Sequence, residues 1–204
     1  MSQKVVLLGA GGHAKSCIDI IEQTGLFEIV GLLGKVNEIG IEISGYKVIG
    51  SDSDLPRLNK EIKYAINCIG GIGSQQLRKK ITDNAKLVGF EFPKLVSPHA
   101  LVSRNAYIGE GTMVFHGAII NSGAYIAEGC IINTNALIEH DVKIERFTHI
   151  STRVTINGNA SIGASSFLGS GSIIKEGICI GEECLVGMGT IVRKDLSNGT
   201  KYVG

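Results

Sequence analysis

The sequence predicts a small parallel α/β unit over residues 1–92, followed by a parallel β-helix over residues 93–204. Three observations carry this reading. Seventeen consecutive positions spaced six apart, from Val96 to Val192, are all Ile, Leu or Val. Four residues after most of them stands a small side chain, as at Ala100, Ala106, Thr112, Ala118, Ala124, Cys130, Ala136, Thr148, Ala160, Ser166, Ser172, Cys184 and Thr190. Upstream of residue 92 the register is absent, and short apolar runs alternate with amphipathic segments.

A period of six fits neither a helix, at 3.6, nor an ordinary strand, at 2. It fits a three-sided column in which each short strand turns one aliphatic inward and three strands close one coil. The small residues fill the space beside the bulky ones, as dense packing requires. Val142, Val154, Ile178 and Leu196 are larger occupants of the same slot. Gly109, Gly111, Gly129, Gly163, Gly169, Gly181 and Gly187 fall in the turns, where tight or left-handed backbone is expected. Eighteen residues per coil gives between five and six coils, a column about 25 Å tall at roughly 4.8 Å per stacked strand.

In the first unit, residues 5–8 read as a buried strand, followed by Gly9-Ala10-Gly11-Gly12-His13-Ala14 and a helix over about 14–23. Further strands are expected at 28–33, 64–69 and 86–90, with a helix over about 74–82 after Gly70-Gly71-Ile72-Gly73. Glycine turns at the carboxyl ends of parallel strands face the crevice where such sheets bind ligands, and a helix N-terminus offers N–H groups to an anion. Gly9, Gly11, Gly12 and His13 are therefore candidate acceptor-binding residues, with close helix–strand packing and capping by His13 as the competing structural roles. The pattern Gly9-x-Gly11-x-x-Ala14 matches a dinucleotide fingerprint, but Leu33-Gly34 stands where that fingerprint needs an acid for the ribose. A nicotinamide enzyme is rejected on that ground; a nucleotide diphosphate on a half-site fits.

Composition narrows the partners. A net charge of +1 without a basic run speaks against nucleic acid. No apolar stretch is long enough for membrane insertion, and residues 5–8 are too short a run for a secretory signal. Five cysteines, Cys17, Cys68, Cys130, Cys179 and Cys184, form no CxxC pair, which fits a reducing cytoplasm. None stands beside a base in the sequence. Cys130 and Cys184 fall in the small interior slot.

The chemistry-bearing stretch is Asn133-Thr134-Asn135-Ala136-Leu137-Ile138-Glu139-His140-Asp141, with His149 nine residues beyond His140 and Gly158 eighteen beyond it. Eighteen residues is one coil, so Gly158 stacks on His140. His140 lies two places past an inward aliphatic, at a turn where its imidazole faces out. A neighbouring carboxylate holds a histidine in one tautomer and raises its basicity, which suits a general base. Adjacent His–Asp pairs are also common as solvated turn residues.

The Gly-Gly-His loop, Lys94-Leu95-Val96-Ser97-Pro98, Ile138-Glu139-His140-Asp141 and Phe147-Thr148-His149-Ile150-Ser151 together resemble the bacterial hexapeptide-repeat sugar acetyltransferases, which include sialic acid O-acetyltransferase-like and UDP-4-amino-sugar N-acetyltransferases. The resemblance covers nearly the whole chain. It implies a left-handed β-helix after a half-Rossmann domain, acetyl-CoA as co-substrate without a metal, and a sugar or nucleotide-sugar acceptor acetylated on an amine or hydroxyl. It further implies a homotrimer with active sites between neighbouring columns. His140 is implied as the base and Asp141 as the residue that orients it. Asn133, His149 and Gly158 are implied to line the acceptor or acetyl site, and Ser170 and Met188 the pantetheine arm. Two departures stand out. Relatives carry paired aspartates after the second strand where this chain has Leu33-Gly34. They also continue into a Pro-Ala segment where this sequence has Tyr202-Val203-Gly204, which implies weaker coenzyme binding.

Two other readings compete. Some β-helical trimers are zinc lyases of the carbonic anhydrase type, and His99, His116, His140 and His149 are candidate ligands. His116 and His140 are 24 residues apart, on different faces of one chain, so only pairing across subunits brings them together. A non-catalytic trimeric scaffold is the other.

Overall fold

The computed structural model describes residues 2–71 and 75–203. It divides into two compact units, residues 2–71 with 76–95, and residues 96–203.

The first unit is built on β1 (Gln3–Leu8), α1 (Gly12–Thr24), β2 (Phe27–Leu33), β3 (Glu42–Ile43), β4 (Tyr46–Gly50), α2 (Leu55–Leu58), β5 (Tyr64–Asn67) and α3 (Gln75–Leu87). The sheet order is β3-β4-β2-β1-β5. The strands β4, β2, β1 and β5 run parallel, while β3 and β4 form an antiparallel hairpin. The β1 run Val5–Leu8 is fully buried, as a strand covered on both faces must be. Apolar positions of α1 (Ala14, Cys17, Ile18, Ile21) recur at helical spacing and are buried.

Two features differ from the sequence reading. The β3–β4 hairpin was not anticipated; its turn is Ser44-Gly45, both at positive φ (46° and 86°), the geometry that tight hairpins require. Of the strand expected over 86–90, Lys86 and Leu87 end α3 and the remaining three residues form its cap. Gly89 (φ 103°) closes that helix: its N–H reaches Lys86 O at 3.0 Å, and Phe90 N–H reaches Ala85 O at 3.1 Å. These are the paired bonds of a Schellman cap. The expected start of α3, and Ile72-Gly73 before it, lie outside the described residues, which resume at Gln75.

The second unit is the predicted β-helix. Two-residue strands stack into three parallel sheets of six, five and seven strands. Partners are eighteen residues apart, as in Ile120↔Ile138↔Ile156↔Ile174, except in the last coil, where Val186 pairs with Tyr202. The inward aliphatics from Val114 to Val192 are buried, and most of the small slots with them. Two interior hydroxyls are satisfied by backbone, Thr148 Oγ1 donating to Gly163 O at 2.9 Å and Ser166 Oγ to Gly181 O at 2.9 Å, whereas the buried Ser172 Oγ has no partner among the described residues.

The turn glycines fall into two kinds, which corrects the single role expected of them. The third residue after each inward aliphatic from Ile108 to Val186 is left-handed, whether it is Gly111 and Gly129 or Asn135, Asp141 and Asn159. Gly109, Gly163, Gly169, Gly181 and Gly187 sit two places earlier, outside the positive-φ set. There a side chain would strike neighbouring backbone or side-chain atoms; a Cβ on Gly109 would lie 2.5 Å from Ala127 C.

Candidate active site

The corner after strand Leu137–Ile138 carries His140 and Asp141. Asp141 takes the left-handed slot (φ 60°), which Asp and Asn tolerate better than most residues. That turn swings its carboxylate back, so Asp141 Oδ2 lies 2.9 Å from His140 Nδ1. The imidazole is therefore held through Nδ1, and Nε2 is the ring nitrogen this contact leaves for a substrate. Both side chains are more than half exposed, at 57% and 60%.

Glycines flank the pair above and below. A Cβ on Gly158 would lie 2.6 Å from His140 Nε2 and 2.7 Å from Cε1, so the ring rests across that glycine. One coil the other way, a side chain on Gly123 would collide with Asp141 Oδ1. Backbone bonds lock this stack: Asp141 N–H to Ser122 O at 3.2 Å, and Asn159 N–H to His140 O at 3.0 Å. Glu139 is tied to the previous coil by Asn121, whose Nδ2 donates to Glu139 Oε2 at 3.0 Å.

Asn133, Ser170 and Met188 occupy the preceding corner, on the other side of one sheet face. Gly189 N–H donates to Ser170 O at 2.9 Å, and Met188 is 80% exposed. Between the two corners runs a row in register, Leu101, Ile119, Leu137, Thr155, Ile173 and Ile191. Leu101, Ile119, Ile173 and Ile191 are exposed. One chain thus joins His140, Asp141 and Gly158, and separately Asn133, Ser170 and Met188.

His149 joins neither corner. It lies on the seven-stranded sheet that leads into the Asn133 corner, paired with Ile131 and Phe167, and is buried edge-on against Phe167 with ring centroids 5.1 Å apart. The acceptor and coenzyme contacts expected of it meet a packed ring in this chain. His99 and His116 pair with each other (5.7 Å between rings), and Ser97 Oγ lies 2.6 Å from His116 Nδ1. Among the described residues, no three His, Cys, Asp or Glu side chains converge as a metal-ligand set within one chain.

In the first unit, β1, β2 and β5 end level at Leu8, Leu33 and Asn67. The loops that follow converge on a cavity of about 690 Å³ at the carboxyl edge of the sheet. Gly9, Gly11, Gly12 and His13 all line it. Gly11 and Gly12 face open space, whereas a Cβ on Gly9 (φ 108°) would lie 2.8 Å from Ile69 Cγ1. Gly9 therefore shapes the loop. No side chain caps the N-terminus of α1, and that corrects the capping role weighed for His13. His13 instead packs on Gly70, where a Cβ would lie 2.7 Å from its own.

Beneath the loop, Cys17 and Cys68 are both buried. The Cys17 thiol is pushed down to about 6, chiefly by a hydrogen bond with Cys68; His13 and Arg78 add to this while burial opposes it. Burial pushes Cys68 up. The sequence reading gave no cysteine a base. Cys17 has one in His13, but at zero exposure it cannot meet a substrate.

Lys35, Glu38, Ser51 and Asp52 also line the cavity, and the sequence reading missed them. Ser51-x-x-Asp54 before Leu55-Pro56 was a usable signal: Ser51 N–H donates to Asp54 Oδ2 at 2.9 Å, part of a capping box at a helix start.

A glycine-looped α/β cavity, and a hexapeptide β-helix with a His–Asp pair on an exposed corner, are the architecture of the hexapeptide-repeat acyltransferases. Comparison with known proteins agrees. Residues 4–85 match the PglD N-terminal domain, and residues 159–194 the hexapeptide repeat of succinyl-transferase. A histidine-to-asparagine variant of perosamine N-acetyltransferase from Caulobacter crescentus, solved with CoA and GDP-perosamine, is 31% identical with a TM-score of 0.90, over 96% of this chain and 90% of that one. The acetyltransferase domain of PglB from Neisseria gonorrhoeae, in complex with acetyl coenzyme A, is 30% identical with a TM-score of 0.89, over 98% and 95%. UDP-N-acetylbacillosamine N-acetyltransferase of Bacillus subtilis is 31% identical over 117 residues, 55% of this chain and 51% of that protein. The chain spans about half or less of the length of the curated relatives it matches. The chain belongs to the bacterial hexapeptide-repeat sugar acetyltransferase family, whose β-helix is left-handed.

Proposed function

We propose that this protein transfers the acetyl group of acetyl-CoA to an amine of a nucleotide-linked amino sugar. The observation that carries this is the His140–Asp141 pair, at 2.9 Å, resting on Gly158 at an exposed corner.

His140 Nε2 takes a proton from the acceptor amine as its nitrogen attacks the thioester carbonyl. Asp141 fixes the ring through Nδ1 and stabilises the imidazolium. Collapse of the tetrahedral adduct breaks the C–S bond, and the proton passes from His140 to the departing CoA sulfur. Backbone N–H groups at the coil turns stabilise the oxyanion. No protein nucleophile takes part.

Ser170 and Met188, at a corner of exposed backbone, line the pantetheine arm. Asn133 is assigned to the acceptor side. Gly11, Gly12 and His13 hold the acceptor's diphosphate, where open space and the uncapped start of α1 favour an anion. The two corners are separate in one chain, which supports an active site completed by a neighbouring copy in a homotrimer. The exposed row Leu101, Ile119, Ile173 and Ile191 between them supports the same assembly. The described residues contain no helix long and apolar enough to cross a membrane, in keeping with the cytoplasmic location proposed here.

The test is release of free thiol from acetyl-CoA against a panel of GDP- and UDP-linked 4-amino sugars. Turnover on at least one is expected. No thiol release across the panel, from a trimer that binds acetyl-CoA, would favour the scaffold reading.

A further inference from the structure

We infer that Glu38 supplies the acidic acceptor for the ribose of the nucleotide-linked substrate, replacing from a turn downstream the carboxylate absent at the end of β2; this rests on the nucleotide-sugar reading above. A Cβ at Gly34 would lie 2.7 Å from Glu38 Oε2 and 3.1 Å from Ala10 Cβ. The carboxylate of Glu38 thus sits where a side chain at position 34 would begin, against the loop after β1. That crevice is where an acid at the end of the second strand receives ribose hydroxyls in nucleotide-binding sheets.

The placement is fixed by the backbone. Residues Val36–Glu38 form one 3-10 turn, and Lys35 N–H donates to Glu38 Oε2 at 2.7 Å. A glycine at 34 is what makes room for this. The same construction recurs at the end of β4, where Gly50 leaves space for the carboxylate of Asp54. The two differ in what they face. Asp54 pairs with Arg57 at 3.2 Å and lies outside the cavity lining, whereas Glu38 lines the cavity with Gly9, Gly11 and Gly12. Capping needs one acceptor site of a carboxylate that offers about four. The rest can receive a pair of hydroxyls.

The experiment titrates GDP, UDP and their 2′,3′-dideoxy forms into wild type, Glu38→Gln and Gly34→Ala, each in the presence of CoA. Gln keeps an oxygen for Lys35 N–H, so the turn is preserved, and Gly34→Ala displaces the carboxylate without removing it. Both variants are expected to bind the preferred nucleoside diphosphate about 10- to 100-fold more weakly, the range for a charged hydrogen bond. Removing the ribose hydroxyls should weaken wild type by a similar factor and leave Glu38→Gln little changed further. Unchanged affinity in both variants overturns the inference. Weakening that is independent of the hydroxyls overturns the ribose assignment. If wild type binds neither diphosphate yet acetylates a free amino sugar, the nucleotide-sugar reading itself falls.

Discussion

The imidazole of His140 lies against Gly158 of the next coil, with Nε2 2.6 Å from the point a Cβ would occupy. Gly158 is outside the positive-φ set, so its backbone accepts an L side chain. The glycine is there for the ring above it.

It follows that Gly158→Ala should leave the β-helix intact and disturb only the ring. An unchanged melting temperature is expected with a kcat lowered about 10- to 100-fold, because a displacement near 1 Å at a reacting group costs on that order. Wild-type kcat in this variant would show that the ring does not work from its observed position.

Asp141 does two jobs that substitutions can separate. Asn keeps the left-handed turn but removes the carboxylate, so Asp141→Asn should lower kcat by less than loss of His140 does and preserve stability. Ala removes both, adding about 1 kcal/mol of backbone cost at φ 60°. Equal melting temperatures for Asn and Ala would contradict the strain assigned to this turn.

The exposed row on the face between the two corners makes a prediction about assembly. Ile173→Glu places a charge within that row and should yield a monomer by light scattering, with acetyl transfer lost and the fold retained by circular dichroism. A fully active trimer would show that copies do not meet on this face.

Asp54 offers a test in the first unit. The Ser51 N–H, then Arg57, hold its carboxyl below the ordinary carboxylate range. A depressed folded value stabilises the native state above the unfolded pKa of about 3.9, and that gain is lost as pH falls through the folded value. Denaturant unfolding should therefore show Asp54→Asn less stable than wild type at pH 7, with the gap closing below pH 4. A gap independent of pH would assign the effect to shape alone.

The column was fully legible because its period is set by local geometry: each aliphatic from Val114 to Val192 is buried where a step of six puts it. The His140–Gly158 stack was legible for the same reason, since eighteen residues is one coil. What was not legible depends on non-local pairing. The β3–β4 hairpin is too short to show alternation, and its Ser-Gly turn was its one local sign. The segment Lys86-Leu87-Val88 has a strand's composition, but Gly89 and Phe90 cap a helix there and bury Phe90. Glu38 was invisible because its carboxylate acts at position 34 through a turn that spacing alone does not reveal. For His149 the site role came from the family resemblance alone, and its burial beside Phe167 depends on side-chain packing that spacing does not show.

The most direct test of the general-base assignment is single-turnover acetyl transfer by His140→Ala, with acetyl-CoA and acceptor binding measured alongside. Binding should persist, and the chemical step should slow by about two to four orders of magnitude, the usual worth of a positioned base. A rate within a few-fold of wild type, with both substrates bound, would contradict it.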